Sequence, residues 1–151
     1  IRNILRHLAA DPAEQQRLRE DPARVPAFVE EALRLLAGLD FRDRIVGPEG
    51  IGDYDLEPGA RLRLRFDSAA RDPAAYADPL RFDPGRYLAD QRPPPLLSFG
   101  GGAHLCLGRI LARQQIAALI RVLIRDWHLQ LAPAPEGPAA DAQLMLCPRQ
   151  G

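Results

Sequence analysis

Phe99-Gly100-Gly101-Gly102-Ala103-His104-Leu105-Cys106-Leu107-Gly108 runs without a break into Arg109-Ile110-Leu111, the first turn of a long apolar pattern. Three consecutive glycines carry no Cβ, so the backbone can turn tightly and lie flat against something large. The helix predicted behind them offers free amide N–H groups and the positive end of its dipole. Both favour the anionic form of a thiol held beside them, which is the form that binds metals. Taken by itself, Cys106 reads equally well as a small buried thiol at a helix start.

Beyond His104, no Cys or His lies near Cys106 in sequence. A zinc site would need three or four such ligands. A lone thiolate beside a flat glycine platform suits the iron of a haem better than tetrahedral zinc. The spacing Phe-Gly-x-Gly-x-His-x-Cys-x-Gly resembles the haem-ligand loop of the cytochrome P-450 family at every defined position. The resemblance implies haem b (iron protoporphyrin IX) as cofactor, with Cys106 as its axial thiolate and metal ligand. It implies that His104 donates to a haem propionate and that Phe99 shields the sulfur. Gly100 and Gly102 would let the backbone approach the ring.

Outward from the loop, composition sets the class. The chain has 151 residues and balances 20 basic against 20 acidic side chains. That length allows one domain, and zero net charge argues against non-specific nucleic-acid binding. Every basic residue apart from histidine is Arg, with none Lys. With abundant Ala, Pro and Asp, this points to a GC-rich, bacterial type of coding genome. Two distant cysteines make no disulfide framework. No apolar run reaches membrane-span length and no signal peptide is visible, so a soluble cytoplasmic protein is expected.

Upstream of the loop, Ile1, Ile4, Leu5 and Leu8 recur at helical spacing from the first residue. The sequence therefore reads as starting inside a longer helix. Asp11 caps a second helix, with Pro12 at its first position, that runs to about Glu20. A third is predicted over 26–36, with Phe28, Val29, Ala32, Leu33 and Leu36 on one face. Glu31 and Arg34 are neighbours on its surface. Read alone they are an ordinary ion pair. The family carries Glu-x-x-Arg at this distance before the cysteine loop. The resemblance implies that Arg86, in Phe82-Asp83-Pro84-Gly85-Arg86-Tyr87, joins them in a buried charge network that locks the proximal side.

Between these helices and the loop, 44–46 is a short strand candidate, 53–56 alternates, and Glu57-Pro58-Gly59 makes a tight turn. Arg61-Leu62-Arg63-Leu64-Arg65-Phe66 alternates strictly, predicting a strand with a buried face and a solvated arginine face. Residues 71–95 are punctuated by Asp-Pro pairs and read as irregular chain held by Tyr76, Leu80, Phe82 and Tyr87. In the family an Arg after the third helix grips the second propionate. Arg44 takes that place, with Arg42 close enough to compete, and Leu39 and Asp40 would border the substrate pocket.

Downstream, 109–126 is predicted to be a helix buried around much of its circumference. Segments 127–131 and 143–147 form a candidate antiparallel pair. Cys147 reads as structural, and His7 and His128 have no assigned chemistry. Two departures from the family pattern stand out: Ala37 where Pro is common, and Gln115 where Glu is common.

The elements predict an α+β architecture, mostly helical, with a small antiparallel sheet. It would be the C-terminal portion of the cytochrome P-450 fold. Residues 1–151 would form one haem-binding unit, without the N-terminal helical part of the family. The implied function is haem-thiolate monooxygenation of a small organic substrate. Electrons would come from a ferredoxin or flavoprotein reductase docking near Arg109 and Arg113. No nucleic-acid or membrane partner is expected. The alternative is a truncated, non-catalytic relative that binds haem weakly or not at all.

Overall fold

Three helices open the chain: α1 (Arg2–Ala10) and α3 (Val25–Leu36) follow apolar residues at helical spacing, and α2 (Pro12–Glu20) follows its cap. These elements come from a computed structural model that describes residues 1–37, 40–88, 94, 96–132 and 143–149. The Asp11 side chain accepts from the Glu14 N–H at 2.9 Å, and Pro12 sits where a missing donor costs nothing. A 3-10 turn, Pro22–Arg24, leads into α3, which therefore starts at Val25, one residue before the proline.

β1 (Phe41–Ile45) and β2 (Arg61–Arg65) form an antiparallel ribbon, with Phe41 opposite Arg65 and Ile45 opposite Arg61. The strand predicted over 44–46 thus begins earlier, because the register with β2 rather than local propensity sets its length. Residues 53–56 make no strand; a single bridge joins Ile51 and Tyr54. One helical turn, α4 (Phe66–Ala69), follows β2, and 3-10 turns Pro84–Tyr87, Leu97–Phe99 and Gly102–His104 lead to α5 (Arg109–Asp126). β3 (Trp127–Leu131) and β4 (Leu144–Pro148) close the described chain as a second antiparallel pair.

The core lies where α1, α2, α3, α5 and β3 meet. Leu8, Leu18, Val25, Phe28, Ile120 and Leu129 are completely or almost completely buried there. Gln15 sits among them at 2 % exposure. Its amide donates to the carbonyls of Leu8 and Leu129, both at 2.9 Å, and accepts from the Leu129 N–H at 3.0 Å. One side chain thus stitches α1 and β3 to α2 with none of these polar atoms wasted.

α5 departs from expectation. Ile116, Ile120, Leu123 and Ile124 are buried, whereas Ile110 and Leu111 are more than half exposed and Leu107, just before the helix, is 93 % exposed. Among the described residues, α5 packs mainly against α2, α3 and β3. No described helix is long and apolar enough to cross a membrane.

Candidate functional site

The loop before α5 is shaped by its glycines and by two ties to α3. Gly100 adopts φ 75° and ψ −162°, a conformation essentially closed to other residues, and Gly102 has φ 61°. The Cys106 N–H donates to the Phe99 carbonyl at 3.0 Å and closes the loop on itself. Ser98 Oγ donates to the Leu33 carbonyl. Arg113, one turn into α5, forks onto Glu30 of α3, its second bond measuring 3.0 Å, and its guanidinium lies 4.8 Å from the centre of the Phe99 ring. The loop is therefore shaped by its own glycines and held to α3 through Ser98 and Arg113.

A cleft of about 610 Å³ opens between this loop and the β1–β2 ribbon. That is within the ~300–1,000 Å³ of small-molecule sites. Cys106, His104, Phe99, Gly100 and Gly101 line one wall. Arg42, Arg44, Leu64 and Phe66 line the other, with Leu97 and Ser98 between them. Cys106 is exposed and not in a disulfide. Gly102 stands just beyond the wall, opening the turn that carries His104. The ribbon's apolar face, expected to be buried, instead looks into this cleft, with Leu64 37 % exposed. Leu39 lies outside the described residues.

Behind the loop, Glu31, Arg34 and Arg86 converge. Glu31 is completely buried and Arg34 nearly so. Arg34 donates to both Glu31 carboxylate oxygens at 2.7 Å and to the carbonyls of Ala70, Pro79 and Arg81. That uses all five of its N–H groups. Burial opposes the Arg34 charge, but the adjoining Glu31 carboxylate outweighs it and holds the guanidinium above its ordinary value. Glu31 Oε1 also accepts from the Asp83 N–H at 2.8 Å, and Arg86 Nε approaches it at 3.5 Å. Three segments distant in sequence are pinned to α3 through this cluster.

The donor set suits a ring better than a bare metal ion. One thiol, one imidazole and two guanidiniums share the cleft, and no group of three or more His, Cys, Asp or Glu able to hold a metal occurs among the described residues. Nothing lies within 4 Å of where a Gly101 Cβ would stand, so that wall is bare backbone. A flat iron-bearing molecule with anionic edges fits such a surface: sulfur for the iron, glycine under the ring, cations for its carboxylates.

Comparison with known proteins identifies the family. Cytochrome P-450 BJ-3 of Bradyrhizobium diazoefficiens is 39% identical over 137 residues, covering 85% of this chain and 32% of that protein. Erythromycin C-12 hydroxylase of Saccharopolyspora erythraea is 36% identical, covering 84% of this chain and 32% of its own length. The haem domain of a cytochrome P-450 from Tepidiphilus thermophilus superposes with a TM-score of 0.72 at 34% identity, covering 88% of this chain and 32% of that one. The chain thus spans about a third of the length of the relatives it matches. The family model for cytochrome P-450 matches residues 1–151 from end to end. With the same mostly helical fold and small antiparallel sheets as its solved relatives, the chain belongs to the cytochrome P-450 family.

Proposed function

We propose that the cleft holds haem b, with the Cys106 sulfur as the axial iron ligand, and that the whole protein is a haem-thiolate monooxygenase acting on a small organic substrate. The observation that carries this reading is the meeting of Cys106, His104 and Arg44 around one cleft with a bare glycine wall. Haem ligated by a thiolate supplies oxygen activation at iron.

This chain's residues bind and orient. The bare Gly100 and Gly101 backbone would accommodate the ring, with Phe99 beside the sulfur's loop. His104 and Arg44 would hold the two propionates as charge-assisted donors. The start of α5 follows Cys106 directly, its Arg109 N–H donating to the Cys106 carbonyl at 3.4 Å, and the positive end of the helix dipole favours negative charge there. Glu31, Arg34 and Arg86 do no chemistry; they fix α3, against which the loop is tied. Arg109, half-buried beside the Cys106 carbonyl, offers a contact for an acidic ferredoxin or flavoprotein reductase. The protein works in the cytoplasm. Residues 1–151 form one unit, the iron-ligand side of the site; oxidation belongs to a protein on the scale of its relatives.

The test is spectroscopic. Haemin is added to the chain, reduced and exposed to carbon monoxide. A red-shifted, thiolate-type Soret band that vanishes in Cys106→Ser is expected. A spectrum identical in both proteins would overturn the assignment.

A further inference from the structure

The β1–β2 ribbon carries five arginines, and its register sorts them into two sets. Directly paired residues share a face of an antiparallel ribbon, and successive residues alternate. Phe41, Asp43 and Ile45 pair with Arg65, Arg63 and Arg61, so those three arginines stand on the outer face. There Arg63 forks onto Asp43 at 2.8 and 3.0 Å, and Arg65 forks onto Asp67 at 2.8 and 2.5 Å. Arg42 and Arg44 stand on the opposite face with Leu64 and Leu62, and both line the cleft. Neither has a carboxylate partner among the described residues. Each donates only to the carbonyl before it, Phe41 at 3.0 Å and Asp43 at 2.9 Å.

Two of the three outer arginines are thus forked onto carboxylates, whereas neither arginine facing the cleft is. Arg44 and His104 already match the two carboxylates of the cofactor. Arg42 is a third cation, two residues and ~7 Å further along the strand. Its neighbours differ from those of Arg44. Leu64 is directly opposite, and Phe66 and Leu97 continue the same wall. A guanidinium at the edge of an apolar wall matches a molecule with an apolar body and one carboxylate: the fork takes the acid and the wall takes the chain.

We infer that Arg42 is a carboxylate-binding subsite that selects an organic acid with an apolar body as the substrate. This rests on the haem reading of the cleft in one respect, that Arg44 rather than Arg42 serves the cofactor.

Equilibrium dialysis of dodecanoate and of dodecanol against the chain, with and without haemin, tests it. The wild type binds the acid roughly tenfold more tightly than the alcohol. Arg42→Gln abolishes that preference by weakening the acid alone, and Arg42→Lys keeps part of it. Haemin uptake, followed by Soret absorbance, falls far less in Arg42→Gln than in Arg44→Gln. Equal binding of acid and alcohol by the wild type overturns the inference, and so does a preference that survives in Arg42→Gln. An Arg42→Gln loss of haemin as deep as that of Arg44→Gln also overturns it, by placing Arg42 on the cofactor. Failure of haemin to bind through Cys106 would sink the haem reading alone, because the acid-over-alcohol comparison without haemin still decides for or against Arg42.

Discussion

Both carboxylate oxygens of Glu31 accept from the Arg34 guanidinium at 2.7 Å, three residues along the same helix and out of reach of water. An i,i+3 pair on a helix surface contributes only a few tenths of a kcal/mol. Here the pair is the hub of a cluster, because Arg34 also satisfies three loop carbonyls and Glu31 satisfies a loop N–H.

Removing either partner strands the other. Arg34→Ala and Glu31→Ala are each expected to cost about 3–5 kcal/mol, the scale for breaking a buried ion pair. Arg34→Lys should cost nearly as much, since one ammonium has three donors for five acceptor contacts and cannot fork. Arg86→Ala should cost less, because Arg86 Nε stands 3.5 Å from Glu31 and its firmest bond is to the Asp78 carbonyl at 2.8 Å. Urea unfolding followed by circular dichroism checks the order; equal midpoints for Arg34→Lys and the wild type would refute it.

His7 carries a pH dependence. Its ring lies 4.0 Å from that of Phe82, and burial lowers its pKa below the ordinary 6.5 against the pull of Asp11 and Glu14. The unfolded chain therefore takes up this proton first, so the stability it contributes is complete above about pH 6.5 and is lost as pH falls through the lower folded value. Melting temperature should drop between pH 7.5 and pH 5.5, and His7→Phe should show a smaller drop. An unchanged drop would mean that other groups set it.

Much of this fold is written in periodicity. α1, α3, β2 and β3 follow from where apolar residues recur, and α2 follows from its Asp11–Pro12 start. What escapes is what depends on a distant partner. Gln15 reads as an ordinary polar helix residue, yet its partner Leu129 lies 114 residues away. Nothing near either one marks the contact. The apolar face of β2 announces burial, but alternation cannot say whether core or cleft covers it. The same is true of α5, where Ile110 and Leu111 match the buried pattern and remain exposed. At the candidate site, Cys106 and His104 are legible because loop chemistry is local. The sorting of Arg42 from Arg63 is not, because it needs the strand register.

The glycines of the loop separate folding from binding. Gly100→Ala is expected to cost about 1–3 kcal/mol, because its backbone conformation is closed to a residue with a side chain. An added Cβ would meet the His104 carbonyl only at an ordinary 3.6 Å, so the cost is backbone strain rather than a clash. Gly101 has an extended φ of −158° and open space around it, so Gly101→Ala should leave stability within ~0.5 kcal/mol. It nevertheless places a methyl on the cleft wall and should weaken haemin uptake. Thermal melts and haemin titration of the two variants read the two effects apart.

Arg109 and Arg113, one turn apart, look alike in sequence, and the structure makes them unlike. Arg113 is forked onto Glu30 and stacked on Phe99, whose carbonyl receives the Cys106 N–H. Among the described residues, the Arg109 side chain donates only to the Cys106 carbonyl, at 3.4 Å. Arg113→Ala should therefore destabilise the chain by about 1–2 kcal/mol, summing a largely buried ion pair and a cation–π contact. Arg109→Ala should change stability by no more than ~0.5 kcal/mol. In the haem-loaded protein, reduction by an acidic ferredoxin should lose part of its salt dependence in Arg109→Ala and keep it in Arg113→Lys, which retains the charge. If Arg109→Ala is reduced with the wild-type salt dependence, the acidic partner docks elsewhere.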